Sequence, residues 1–200
     1  LGGLIAMLSM SRVPIDRWIR FIFPIFILLI MLAFVTLTFA VSINYNWIIL
    51  NVEEILSKLV SFPILGGQSN ISILTWIKEY VESYGVEVHL VPNKKEKKAS
   101  LHCRIGPALD LGVILSGHMD VVPVKGQDWT SDPFTLTDKG DGKLYGRGSC
   151  DMKGFLACCL AVLPKMVNKK LKKPIYFAFS YDEEVGCVAA PELTKAIKNY

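Results

Sequence analysis

Cysteine frameworks are missing from this 200-residue chain. Its five cysteines, Cys103, Cys150, Cys158, Cys159 and Cys187, are odd in number and form no C-x-x-C pair. That pattern speaks against a disulfide scaffold and for a reducing compartment. Histidine is scarce, with three in all, so any imidazole ligand comes from a short list. Strong charge of one sign is also lacking, the net charge being +4. The clusters Lys94-Lys95-Glu96-Lys97-Lys98 and Lys169-Lys170-Leu171-Lys172-Lys173 read as solvated loops between elements, the usual meaning of short charge runs. Nothing in the basic residues marks a nucleic-acid surface. Internal repeats and low-complexity stretches are absent, which excludes solenoids and disordered tails.

Charge is wholly absent from residues 21–52. Residues 21–43 are almost entirely apolar, enough to cross a hydrocarbon layer of about 30 Å as a helix. Trp18 and Trp47 flank the run, and Arg12, Arg17 and Arg20 precede it. A single-pass anchor over about 18–43 is the first reading, and the positive-inside rule then sets the N-terminus in the cytoplasm. Two others stay open. A cleaved signal is one, although the run exceeds the usual apolar core of about 7–15 residues. A segment foreign to the natural product is the other, since the chain opens on Leu and the remainder looks cytosolic. Residues 1–46 are therefore set apart from a catalytic part, residues 47–200.

The catalytic part alternates helices and strands. Asn51 with Glu54 three positions on forms a capping box, predicting a helix to about Val60. Asn70 is expected to cap a second helix carrying Ile71, Leu74, Ile77, Val81 and Tyr84 on one face, ended by Gly85. Strands are expected over 86–91 and 99–105. The continuous apolar runs 112–116 and 175–180 read as strands buried on both faces. Residues 123–133 form a loop, and 134–137 pairs with 143–145 as a hairpin. A helix opens at Asp151 and runs to about Val167, and a last one begins near Pro191. Strands and helices in this order give an α/β layer architecture, whose reactive residues collect at the carboxyl ends of strands.

Chemistry gathers in three stretches: Ser116-Gly117-His118-Met119-Asp120, Gly146-Arg147-Gly148-Ser149-Cys150-Asp151-Met152-Lys153-Gly154 and Ser180-Tyr181-Asp182-Glu183-Glu184. His118 alone would pass for a polar strand end. Asp120 lies two positions on, facing the same way in extended chain, where a carboxylate can accept the second ring N–H and fix the tautomer. His89 and His102 have no such company and read as structural. Asp151 is either an N-cap or a carboxylate that bridges two cations. Glu183 and Glu184 are either a solvated turn or a pair whose repulsion a cation relieves, one binding metal while the other takes a proton from water. Cys150 and Cys187 read as incidental thiols.

Together the three motifs resemble the N-terminal metal motifs of the co-catalytic zinc aminoacylases and carboxypeptidases. Within that family the closest look is to the deacetylases of N2-acetyl-L-ornithine, carried also by Val121-Val122-Pro123-Val124, Trp129-Thr130-Ser131-Asp132-Pro133-Phe134 and Phe179-Ser180-Tyr181-Asp182-Glu183-Glu184-Val185-Gly186-Cys187. The resemblance covers about residues 52–200. It implies a three-layer α-β-α zinc-exopeptidase-like domain and two divalent ions, Zn2+ or Co2+, although the donor set suits manganese as well. His118 would bind the first metal, Asp120 would orient His118, and Asp151 would bridge the metals through a residue whose peptide link to Met152 is cis. Glu183 would be the general base and Glu184 a ligand of the second metal. The implied reaction is hydrolysis of an amide in a small N-acyl amino acid, giving L-ornithine and acetate in arginine biosynthesis. A desuccinylase, dipeptidase or general aminoacylase on the same scaffold is the alternative, and a non-catalytic membrane-tethered remnant another. Relatives are nearly twice as long and add a further carboxylate ligand, a late His and a lid domain used in homodimerisation. The 200 residues are therefore expected to be a truncated, inactive catalytic domain, cytoplasmic by resemblance and membrane-anchored only through residues 18–43.

Overall fold

The computed structural model describes residues 20, 22–35, 38, 50–93 and 95–198. The chain divides into two compact units, Leu1–Ile49 and Leu50–Tyr200. In the first unit residues 22–35 are helical and expose Phe23, Phe26, Leu28, Leu32 and Phe34. Among the described residues no helix is long and apolar enough to cross a membrane. The expected spanning helix over 18–43 is thus unsupported where it is described, and its remaining positions lie outside the described residues.

The second unit begins as the sequence predicts. Helix α1 (Val52–Val60) carries the full capping box: Glu54 N–H donates to Asn51 Oδ1 at 2.9 Å, and Asn51 N–H to Glu54 Oε2 at 2.8 Å. Its inner face buries Ile55, Leu56, Leu59 and Val60. Helix α2 (Ile71–Ser83) follows and stops at Gly85, whose φ of 75° a glycine adopts freely. Asn70 corrects an expectation. Its side chain makes no cap bond; fully buried, it donates from Nδ2 to the Ala99 carbonyl at 2.8 Å and accepts the Ala99 N–H at 3.0 Å. A side-chain amide thereby stands in for a strand partner and ties α2 to the sheet.

Strands β1 (Val88–Asn93), β2 (Lys98–Ile105), β3 (Val113–His118) and β6 (Ile175–Ser180) form one mixed sheet in the order β1-β2-β6-β3. The β1–β2 and β2–β6 pairs are antiparallel, and β3 runs parallel to β6. Strands β4 (Thr137–Asp138) and β5 (Leu144–Tyr145) make the small hairpin. Helix α3 (Lys153–Val167) packs against α1 and β3, and helix α4 (Ala190–Lys198) lies on the strands β1, β2 and β6. Leu101, Cys103, Phe177 and Phe179 are buried on one pleat face with Leu156, Leu160 and the α1 and α2 core. Gly117 lets α3 come close: a Cβ there would sit 2.8 Å from Leu156 and 3.1 Å from Met152.

This is an α/β fold with a mixed sheet and helices, as expected. One strand departs from expectation. β3 was read as buried on both faces, yet Val113 is 59 % exposed and Ile114 nearly as open. The apolar run marks a strand at the end of the strand order, not a central one, and composition does not distinguish the two.

Replacing Asn70 with Ala leaves the Ala99 N–H and carbonyl without partners in a buried setting. Urea unfolding is expected to show a loss of about 3 kcal/mol, against about 1 kcal/mol for Asn51→Ala, which removes only an exposed cap.

Candidate metal centre

Parallel pairing creates the site. The β3–β6 register sets His118 beside Ser180, so both strands end together. The Met119 N–H donates to the Ser180 carbonyl at 3.0 Å, which carries the ladder one step further. His118, on the pleat face opposite Gly117, is 4 % exposed. Residues 119–120 and 181–184 then leave the sheet side by side.

Three acid groups converge on the His118 ring. Nε2 lies 3.2 Å from Asp151 Oδ1 and 3.6 Å from Glu183 Oε2. Ligand atoms of His118, Glu183 and Glu184 all fall within 4.8 Å of one another. Asp151 arrives from the segment before α3. It is not the helix cap; Met152 holds that position without a side-chain cap bond. The Asp151–Met152 peptide is cis, in line with the resemblance. Gly148 has φ of 79°, and a Cβ there would meet Val121 at 2.6 Å, so this glycine is required twice over.

Asp120 departs from its expected part. Nδ1 of His118 lies 2.9 Å from the main-chain carbonyl of Asp120, while the carboxylate Oδ1 is 3.7 Å away. The buried carboxylate instead accepts the Glu183 N–H at 3.2 Å and the Glu184 N–H at 3.1 Å, one on each oxygen. The carbonyl therefore orients the ring by accepting from Nδ1, which directs Nε2 at Asp151 and Glu183. The carboxylate holds the acidic turn. Extended i, i+2 geometry brought Asp120 near, but the turn after β6 claimed its oxygens.

Electrostatics make the cluster cation-seeking. Burial pushes the Glu184 carboxyl above its ordinary value, and the charges of Asp151, Glu183 and Asp120 add to this, opposed by His118. Asp151 is 77 % exposed and Glu183 43 % at the side chain, so both face open solvent. One imidazole nitrogen and several carboxylate oxygens are the donor set of a divalent zinc-, cobalt- or manganese-class ion. Its charge would relieve the repulsion that raises Glu184. The residues present fit such an ion.

Comparison with known proteins places the chain among metallohydrolase-like sequences and folds. Residues 114–200 match the model of peptidase family M20/M25/M40. Acetylornithine deacetylase of Shigella sonnei is 40 % identical over 145 residues, which are 68 % of this chain and 37 % of the deacetylase. Human carnosine dipeptidase 1 superposes with a TM-score of 0.62 and 26 % identity, over 78 % of this chain and 37 % of that one. The M20 metallo-carboxypeptidase Sso-CP2 of Sulfolobus solfataricus gives 0.63 and 25 %, over 72 % and 33 %. The chain thus spans little more than a third of the length of these relatives.

Residues around the cluster were not legible beforehand. Lys98, counted among solvated lysines, is 6 % exposed and pairs with buried Asp182, Nζ to Oδ2 at 2.6 Å, and with Glu96 at 3.1 Å. Burial alone would lower the lysine's pKa, but the bonds to Asp182 and Glu96 outweigh it and leave it raised. A signal existed: from Lys98 the strand alternates Lys98, Ser100, His102 and Arg104 with Ala99, Leu101, Cys103 and Ile105, so Lys98 opens a strand. The rings of His89 and His102 stack at 5.2 Å across β1 and β2. Cys187 is not merely incidental. Its thiol reaches Glu183 Oε1 at 3.5 Å, and that bond raises the thiol's pKa.

Lys153 is fully buried and donates to the Phe62 carbonyl at 2.7 Å. Burial depresses its pKa from 10.5 to about 8, against the opposing charge of Asp120. Between these values the unfolded chain holds a proton that the folded chain has released, so stability rises with pH there. Relative to Lys153→Met, the wild-type chain is expected to gain at most about 3 kcal/mol from pH 8 to 10.5 in urea unfolding. A flat difference would show that the burial of this ammonium is compensated.

Proposed function

We propose that residues 47–200 are the N-terminal part of a metal-dependent hydrolase of linear amide bonds, with N2-acetyl-L-ornithine as substrate and L-ornithine and acetate as products. The observation that carries this reading is that Asp151 and Glu183 approach Nε2 of buried His118, with ligand atoms of His118, Glu183 and Glu184 within 4.8 Å of one another. The 40 % identity to a deacetylase supports the acyl substrate.

In this reading His118, Asp151 and Glu184 hold the cations and Glu183 moves the proton. Two divalent ions, zinc or cobalt, would supply Lewis acidity there, polarising the acyl carbonyl and acidifying water. The two glutamates differ in a way that suits separate tasks. Glu184 is the one whose ionised form burial disfavours, so a cation gains most beside it. Glu183 keeps 43 % of its side chain exposed; it takes a proton at Oε2 as water adds to the acyl carbon, then delivers it to the leaving amine nitrogen. Asp120 serves both by fixing their two main-chain N–H groups. The carbonyl of Asp120 keeps Nε2 of His118 turned toward the acid groups.

A second reading keeps this site and changes the acyl group to that of a dipeptide or a succinylated amino acid. The likeness to a dipeptidase and a carboxypeptidase supports it. The open exposure of Asp151 further suggests that the 200 residues alone do not grip a substrate, and we propose that they bind metal without turnover. Titration calorimetry is expected to show zinc binding that His118→Ala abolishes, with Glu183→Gln retaining it. Absence of heat with the wild-type chain would favour a non-catalytic remnant. Turnover of N2-acetyl-L-ornithine by the 200 residues with zinc or cobalt would overturn the proposed inactivity, and cleavage of a dipeptide instead would favour the second reading.

A further inference from the structure

We propose that the buried Lys98–Asp182 ion pair positions the Glu183–Glu184 turn and thereby sets the centre's affinity for a divalent cation; the second half of this rests on the metal reading above. Asp182 directly precedes the two glutamates, yet its carboxylate is fully engaged away from the His118 ring. Oδ2 takes the Lys98 ammonium at 2.6 Å and Oδ1 the Gly67 N–H at 2.8 Å. Asp182 is therefore a post, not a ligand. The post is anchored at both ends in the fold. The β2–β6 register that opposes Leu101 to Phe179, continued three positions outward, brings Lys98 opposite Asp182.

The backbone gives the post something to hold. Asp182 has φ of 55°, a left-handed conformation that a non-glycine residue adopts at a cost. That conformation turns the chain so that the next two N–H groups meet the two oxygens of Asp120. The turn is thus gripped by one carboxylate before the glutamates and another beneath them. Gly66 closes the third side: a Cβ there would lie 2.8 Å from Val185 and 3.5 Å from Glu184 Cβ. A buried ion pair adds little net stability compared with apolar packing, so stability alone is a poor account of one located here. Lys98 also brings positive charge to a region that already collects Asp120, Asp151, Glu183 and Glu184.

Amide hydrogen exchange on the whole metal-free chain, combined with zinc titration, tests this. Lys98→Met is expected to speed exchange at the Glu183 and Glu184 amides about tenfold or more while the β2–β6 ladder amides of Cys103 and Phe177 keep their protection. Zinc affinity is expected to fall about 10- to 100-fold, and Lys98→Arg to restore both. If Lys98→Met does not fold, Asp182→Asn carries the test, since it keeps an acceptor for Gly67 and removes the charge. Unchanged exchange at the two glutamates, or loss of protection spread evenly over the ladder, would overturn the proposal. A wild-type chain that binds no zinc would sink the metal reading, and the exchange data would still decide whether Lys98 positions the turn.

Discussion

Everything in the second unit depends on two strands ending at the same level. Parallel pairing of β3 with β6 delivers an imidazole and an acidic turn to one edge of the sheet. A third acid, Asp151, is then brought within 3.2 Å of the same ring nitrogen. Burial first, and the neighbouring acid charges after it, hold the Glu184 carboxyl above its ordinary value. A fold that gathered these groups without use for a cation would hold a cost with no return.

The remaining architecture can be read as support for that edge. Helix α3 approaches because Gly117 leaves room, and its approach fixes the segment carrying Asp151. Asn70 ties α2 to the start of β2, one residue from Lys98. Lys98 in turn reaches Asp182, and Asp120 reaches Glu183 and Glu184. The chain of contacts runs from the hydrophobic core to the acidic turn through polar groups that are each buried and each paired. Such groups are costly when half satisfied and rigid when complete.

The sequence disclosed what local patterns control. The capping box at Asn51, the stop at Gly85, the strand 175–180 and the three acid- and imidazole-bearing stretches all follow from spacing or residue type, and each stands where it was expected. What stayed hidden depends on partners far along the chain. An apolar strand looks the same at the edge of a sheet as in its middle, so β3 was misjudged. An asparagine before a helix looks like a cap, but Asn70 spends both amide atoms on Ala99. Asp120 was expected to spend its carboxylate on His118, yet the turn 63 residues on takes both its oxygens. Lys98 was lost in a run of lysines, although the alternation that begins with it marks a strand.

The central claim is that nitrogen and oxygen donors of His118, Asp151 and Glu184 form one divalent-cation centre, with Glu183 beside it as the base. X-ray absorption at the zinc edge of the zinc-loaded chain addresses it most directly. The account predicts a shell of nitrogen and oxygen alone at about 2.0–2.2 Å. A sulfur shell at about 2.3 Å, which the exposed thiols of Cys150 and Cys187 could supply, would contradict it.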